Sequence, residues 1–306
     1  MSDFEPSALL SDNILRTLEN LRELPSIPAV AAAVLNAVDD PDLSAGSMAK
    51  LIERDPALTA RTLAVANSPF YGFVRRISTV ELAVVMLGMT TIREIVLSAI
   101  LQRIFARVRP ALLDVRAFWR YSVFCGTTAR TFARKLGYRV AGEAFVAGLI
   151  HDVGVLIEAQ FFPKDFAAVR ELQATTSCSF VEAELAVFQA SHAHIGAWFA
   201  AKWQLPRQLI DAILWHHTPV PPETAFAAAA NDAAQPLTAM AALSELFAAD
   251  MGFKAWAAEE LDSPLYIPDD LLEHLRANPL MDSEDSIAAL RNNLREEYEA
   301  AVELFA

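Results

Sequence analysis

Cysteine is nearly absent from this chain. Two occur in 306 residues, Cys125 and Cys178, and neither stands in a CxxC pair. A disulfide scaffold and a cysteine-built zinc site are therefore not expected, and both thiols read as reduced. Glycine is also scarce, at 10 residues. Clusters of β-branched residues are few, while alanine runs abound, so helix is favoured over strand. No GxGxxG, Walker A or GxSxG sequence is present, which removes the signatures of dinucleotide binding, P-loop chemistry and serine hydrolysis. No apolar run of membrane-spanning length is free of a charge or a histidine. The N-terminus, MSDFEPSALL, lacks a basic region and an apolar core. A secretory signal is not expected, and a cytoplasmic location is.

What is present describes a globular chain, with 54% hydrophobic and 21% charged residues, long enough to bury a sizeable core. The net charge of −13 is unevenly placed. Residues 221–306 carry 17 acidic and 4 basic side chains, whereas residues 1–220 carry 21 of each. The acidic excess argues against nucleic acid and anionic membrane as partners. It permits a basic protein partner, and it also fits a plain solvated surface.

Apolar spacing and caps predict a run of helices. The first covers Ala8 to Leu21, and the turn Leu24–Pro28 separates it from a second over Ala29 to Val38. Ser44 caps a helix through Ile52, and Asp55-Pro56 starts one that runs to Asn67. The loop Asn67–Gly72 is followed by helices over Thr79–Leu87 and Thr91–Arg107, with Gly88 between them. Pro110 marks a boundary. A long amphipathic helix then runs from Asp114 to Leu136, ended by Gly137. Further helices are expected over Ala141–Ile150, near Asp165–Ala174, and over Phe180–Gln189 and His192–Trp203. Another begins at Leu205-Pro206 and ends at Trp215. Beyond the break Val220–Pro222 lie Leu237–Ala249, Asp270–Ala277 and Ser286–Leu304. Trp119, Trp198, Trp203 and Trp215 are expected to pack the second half.

One stretch stands out chemically: AGLIHDVGVLI, Ala147 to Ile157. An unpaired carboxylate in an apolar run is costly, so Asp152 needs a metal, a cation or a set of donors facing it. By itself His151-Asp152 also reads as a capped helix end. His192 opens one helix and His216-His217 close the next. Together with Asp152 these are suitable ligands for Fe, Mn, Ni or Zn. The paired histidines equally suit a helix C-terminus through its dipole. His194, two positions from His192, points elsewhere and is expected at the surface. Arg75-Arg76 and Arg61 suit a phosphate or an acidic surface, or are simply solvated.

Taken in order, several segments resemble the HDOD family, the HD-related output domains of bacterial signalling. That family is related to the HD and HD-GYP phosphohydrolases. The likeness rests first on LPSIPAV (Leu24–Val30), LIERDPALTARTLAVANSPFYG (Leu51–Gly72) and AVVMLG (Ala83–Gly88). It continues in FWRYS (Phe118–Ser122), AFVAGLIHDVGVL (Ala144–Leu156), SHAHIGAWFAAKWQLP (Ser191–Pro206) and ILWHHTP (Ile213–Pro219). It covers about residues 20–250.

The resemblance implies an all-α, two-lobed helical bundle of HD-like fold. An N-terminal helix (1–19) precedes an HDOD domain (20–250), divided into an N-terminal lobe (20–110) and an HD-like lobe (111–250). An acidic helical extension (251–306) follows. The HD pattern asks for an early His, then His-Asp, then a distant Asp. Here Tyr121 stands at the early His, His151-Asp152 is intact, and Glu245 stands at the distant Asp. The Lys that follows in HD-GYP enzymes is Val155, and the Gly-Tyr-Pro loop is absent. One metal position of the pattern is thus altered, while the other, Asp152 with His192, His216 and His217, keeps its residue types. With His151, these form a residual metal site that either holds one divalent ion (Fe, Mn, Ni or Zn) or persists as packing residues.

The expected function is a non-catalytic regulatory module with no catalytic residues and no required cofactor. It would work through another signalling protein or a nucleotide-like ligand. No receiver, kinase or cyclase domain is expected on the chain. The alternative is a phosphodiesterase acting on a cyclic dinucleotide or nucleotide through a reduced metal site.

Overall fold

The computed structural model describes residues 10, 12–20, 29–37, 43–68, 73–109, 111–138, 141–176, 178–217, 234–253 and 281–305. Those residues form fifteen α-helices, and the described fold is all-α. The predicted helix Asp270–Ala277, the turn at Leu24–Pro28, the break at Val220–Pro222 and most of the Asn67–Gly72 loop lie outside the described residues.

The early helices are α1 (Asp12–Asn20), α2 (Ala29–Ala37), α3 (Ala45–Ile52), α4 (Pro56–Ala66), α5 (Val80–Leu87) and α6 (Met89–Ile104). Their starts follow the predicted caps. Ser44 Oγ accepts from Ser47 N–H at 3.1 Å, and Asp55 Oδ1 accepts from the Ala57 and Leu58 N–H groups at 2.9 and 3.3 Å. Pro56 occupies the first helical position, where no N–H is needed. Thr79 caps α5. Gly88, at φ +83°, lets α6 turn away from α5 at 118°. Helix α6 begins two residues earlier than predicted.

The later helices are α7 (Val115–Lys135), α8 (Ala141–Ile150), α9 (Val153–Phe161), α10 (Pro163–Thr176), α11 (Phe180–Phe188), α12 (His192–Lys202), α13 (Arg207–Trp215), α14 (Ala234–Asp250) and α15 (Glu284–Phe305). Asp114 caps α7 through the Arg116 and Ala117 N–H groups, and Gly137 ends its turn at φ +76°. Sequence periodicity read α7 as amphipathic. In the structure every residue from Tyr121 to Ala133 is buried, because α8, α14 and α15 all pack on it. Its small polar residues are absorbed by its own backbone: Ser122, Thr127 and Thr131 donate to carbonyls one turn back, at 2.9–3.0 Å. Helix α9 has no counterpart in the pattern reading. The chain turns at His151-Asp152 and then resumes as helix.

Helix α15, in the acidic C-terminal segment, is seated on α7 and shares its core. Phe124 of α7 stacks on Phe253 at 4.0 Å between centroids, and Tyr298 of α15 meets both rings edge-on. Leu290, Leu294 and Ala301 are buried beside them, and Glu297 of α15 reaches the Thr131 hydroxyl at 2.8 Å. Trp119, Trp198 and Trp203 are buried in the same core, and Trp215 is half-buried. The stretch Ala141–Phe161 has the length and composition of a membrane-crossing helix, but most of it lies buried inside the fold.

Two close crossings bring the site helices together. A Cβ on Gly148 would lie 2.6 Å from the Cys125 carbonyl, so α8 meets α7 backbone to backbone. A Cβ on Gly154 would collide with the His192 carbonyl, where α9 meets the start of α12. Glycine is required there for approach. Gly154→Ala is expected to destabilise the fold by about 2–4 kcal/mol, since backbone rather than a flexible side chain must give way. Chemical denaturation measures this, and a change within error of zero would contradict the crossing.

A buried ion pair joins α6 to α7. Arg130 reaches Glu94 at 3.5 Å, with both side chains buried, and the guanidinium also lies over the Phe145 ring at 4.8 Å. Burial pushes the Glu94 carboxyl up to about 7, against the pull of Arg130 and Arg93. Its ordinary value is 4.5. Between those pH values the native state keeps a proton that the unfolded chain has released, so stability falls as pH rises. The drop is on the order of a few kcal/mol. Glu94→Gln is expected to flatten this decline between pH 4.5 and 7, and an unchanged slope in the denaturation series would remove the assignment.

Candidate metal centre

The site is built at helix ends. His151 and Asp152 form the turn between α8 and α9, His192 opens α12, and His216 and His217 follow α13. Glu245 comes from the middle of α14. All six side chains are buried, from 0% exposure at His151, His216 and Glu245 to 9% at His217. Every residue singled out as a candidate ligand is therefore in one place.

Each ring is aimed by the hydrogen bond of its other nitrogen. His151 Nδ1 lies 2.8 Å from the Gly148 carbonyl and His216 Nδ1 lies 2.7 Å from the Ile213 carbonyl. A carbonyl only accepts, so Nδ1 carries the proton in both, and Nε2 faces inward. His192 Nδ1 donates to the Glu184 carboxylate at 2.9 Å, which leaves its Nε2 inward as well. Outer carboxylate or carbonyl partners of this kind are how proteins orient metal-binding imidazoles.

The inward atoms crowd together. Asp152 Oδ1 is 3.2 Å from His192 Nε2 and 3.4 Å from His216 Nε2. Asp152 Oδ2 is 3.1 Å from His151 Nε2, which also lies 2.8 Å from Glu245 Oε1. His192 Nε2 is 3.1 Å from His217 Nε2 and 3.3 Å from His216 Nε2. Despite these distances, His151 Nε2, Asp152 Oδ1, His217 Nδ1 and both Glu245 oxygens make no hydrogen bond of acceptable geometry. Short contacts that fail as hydrogen bonds mean that the groups point toward shared space rather than at each other. The donor atoms of Asp152, His192, His216 and His217 all lie within 4.8 Å of one another, as do those of His151, Asp152, His216 and Glu245. Imidazole and carboxylate donors at these separations could hold a divalent transition metal, with Asp152 and His216 common to both sets.

Protons compete for the same atoms. Burial opposes charging of His151, but the Asp152 and Glu245 carboxylates outweigh it and raise the ring to about 10. His192 is likewise raised, by Glu184 and Asp152 against burial. Burial raises the Asp152 carboxyl, but the surrounding histidines, His151 foremost, outweigh it and hold the group well below the usual range. Burial and the charges on His216 and His192 keep His217 neutral. A buried carboxylate thus has its countercharge in protonated rings, and a divalent ion could take that role.

Two carboxylates that pattern reasoning passed over support the centre. Glu184 of α11 is fully buried, holds His192 Nδ1, and also accepts from the His192 backbone N–H at 3.1 Å. It therefore caps α12 and orients its first side chain at once. Glu158 of α9 is also fully buried. Burial and the negative charge of Glu184 push its carboxyl well up, so it stays protonated. The available signal was a charge set on an apolar helix face, as Glu184 is among Phe180, Ala183 and Phe188. His194 corrects the expectation of a surface residue. Its ring is half-buried and turned onto its own helix end, where Nδ1 accepts from the Ser191 N–H at 3.2 Å.

The two altered positions also line up. The Tyr121 ring sits 6.0 Å from the His151 ring. Burial, then Cys125, Glu245 and Asp152, push its phenol well above its ordinary value, so it faces the cluster neutral. Val155 is fully buried in α9. Arg75, Arg76 and Arg61 take no part in the cluster.

Comparison with known proteins identifies the family and the fold. Residues 24–219 match the family model of the HDOD domain. The fold is similar to the crystal structure of an HDOD domain protein of unknown function from Geobacter sulfurreducens. The two are 26% identical, with 98% of each chain covered and a TM-score of 0.75. It is also similar to a protein from Shewanella amazonensis assigned as a phosphohydrolase (24% identical, 95% of this chain and 98% of that one, TM-score 0.68). A protein from Marinobacter aquaeolei assigned to signal transduction shares the fold as well (18% identical, 100% of this chain and 67% of that one, TM-score 0.72). An uncharacterized protein from Treponema pallidum is 24% identical over 200 residues, which are 65% of this chain and 38% of that protein's length.

Removal of Glu184 tests the supporting layer. Glu184→Ala is expected to cost about 2–4 kcal/mol by leaving a buried imidazole and a helix-end N–H unpartnered. Glu184→Gln, which can still accept both hydrogen bonds, is expected to cost less. Equal losses for the two in thermal or chemical unfolding would show that packing alone is at work.

Proposed function

The chain belongs to the HDOD domain family, and we propose that it is a signal-transduction module that acts by binding, with its histidine–carboxylate cluster as a metal-holding hub rather than a hydrolase centre. The division near residue 110 into an N-terminal lobe and an HD-like lobe, with an extension from 251, belongs to the same reading, as does a second signalling protein as its partner.

The observation that carries the reading is the closure of the site around altered neighbours. All six ligand side chains are nine-tenths or more buried. Catalytic metal sites keep an open position for water and substrate, whereas structural ones are closed. Hydrolysis of a phosphodiester also needs charge stabilisation on the phosphate oxygens. At the position where HD-GYP enzymes carry a Lys, this chain has the buried, uncharged Val155, and at the early His it has a neutral Tyr121.

The residues fit a single divalent ion. Asp152, His192, His216 and His217 would hold it, and when bound it would supply positive charge to the buried carboxylate in place of protons. His151 and Glu245 flank that set and share Asp152 and His216 with it. Glu184 and the Gly148 and Ile213 carbonyls orient the rings whether or not an ion is present. Because ion and protons compete, affinity for the metal is expected to strengthen as pH rises. The sharing of two ligands between the two sets is the specific feature that favours the rival reading, a phosphodiesterase with two ions.

Purified protein supplied with Mn, Fe, Ni or Zn is expected to retain about one equivalent per chain and to show a higher Tm that Asp152→Asn abolishes. Assayed with the same ions on bis-p-nitrophenyl phosphate and a cyclic dinucleotide, it is expected to give no turnover. Turnover that disappears in both His151→Ala and Asp152→Ala would establish the hydrolase reading instead. Far less than one metal per chain would leave the histidines as packing residues.

A further inference from the structure

Six large apolar side chains stand exposed among the described residues, and four of them, Val74, Leu82, Val85 and Met86, fall in one short segment. The other two, Leu185 and Leu246, are far apart in the chain. Single exposed apolar residues are ordinary, and a cluster is not. Leu82, Val85 and Met86 are spaced i, i+3, i+4 along α5 and so form one stripe, exposed at 41, 63 and 47%. The opposite face of α5, Val80, Ala83 and Val84, is buried. A helix apolar on both faces calls for cover on both.

Asn67, at the end of α4, ties the chain just before α5 to that helix. Asn67 Nδ2 donates to the Ile77 and Leu63 carbonyls, and Asn67 Oδ1 accepts from the Ile77 N–H, all at 2.8 Å. Ile77 is buried and Thr79 caps the helix. Just before Ile77, Val74 is fully exposed, and the side chains of Arg75 and Arg76 beside it are exposed as well.

We propose that residues 74–86 form a docking surface for a partner protein that presents an amphipathic helix, apolar along one face and acidic along its flank. The partner's chemistry rests on the binding function proposed above. Charge selects this occupant. Arg75 and Arg76 are exposed cations, whereas Glu81, the one acidic residue of α5, turns its carboxylate toward the start of α3 beside Gly46. The segment therefore offers apolar surface with net positive charge. A second copy paired two-fold on the same segment would bring four arginines into one small interface. An anionic bilayer would meet a chain of net charge −13.

The full chain, with a photo-crosslinking amino acid in place of Val85, tests the surface in cells of the native host. The expected result is an adduct to another protein through a peptide that reads as an acidic amphipathic helix. Its yield should fall about tenfold or more when Arg75→Glu and Arg76→Glu are combined, because rim charges govern encounter. Both arginines are exposed, so the fold is expected to be retained, which circular dichroism checks. An adduct only to the chain itself, an adduct to lipid, a partner peptide of other character, a yield indifferent to charge reversal, or no adduct would each overturn the proposal. The same probe in place of Leu246 separates the two levels. A partner caught there and not at position 85 removes this surface and leaves the binding function standing, whereas metal-dependent turnover removes the binding function itself.

Discussion

The Asp152 carboxylate is buried at 3% exposure, and a charge so placed must be met by donors or cations. Three helix ends meet it. His151 is its chain neighbour, His192 arrives at the start of α12, and His216 follows α13. None of these rings is free to choose which nitrogen it offers, because Gly148, Glu184 and Ile213 each hold the other one. Much of the second half of the fold can be read as the scaffolding for that arrangement. The chain breaks between α8 and α9 to turn the His-Asp pair inward, and Gly154 lets the next helix pass against the His192 backbone.

Two buried carboxylates in this protein are neutralised in different ways. Glu94 faces a single guanidinium across the α6–α7 junction at 3.5 Å, and burial outweighs that attraction enough to push its carboxyl up to about 7. Asp152 has several imidazoles within 3.4 Å and is held well below its ordinary range. The difference is the number and proximity of partners that can carry positive charge. Imidazoles are suited to this because the same atoms accept either a proton or a metal ion. A guanidinium could not make that exchange.

Much of the architecture was legible from short-range chemistry. Asp55-Pro56, Ser44, Thr79 and Asp114 start helices where their side chains can accept from free N–H groups, and Gly137 ends one. Such signals act over three or four residues, so they can be read before the tertiary packing is known. The candidate ligands were legible because a carboxylate in AGLIHDVGVLI demands partners, and Glu245 was found only through the family resemblance. Other features were out of reach. Glu184 looks like any helix carboxylate until the face it shares with Phe180 and Phe188 is known to be inward. Helix α7 looks amphipathic, yet from Tyr121 to Ala133 it is buried all round, because α8, α14 and α15 all pack on it. His194 looks free because its partner is its own helix end.

By itself, then, the sequence determined where most of the described helices begin and end, that helix is favoured over strand, and which residue types are available to hold a buried charge. Those properties depend on neighbours a few residues apart. Tertiary structure decided which nitrogen each histidine presents, that Glu158 and Glu184 stand behind His192, and that the acidic C-terminal helix belongs to the core of α7. It also decided that the α5 stripe is left facing outward. All of these depend on which helices cross and how closely, and that is set by backbone approach at positions such as Gly148 and Gly154 between segments far apart in the chain.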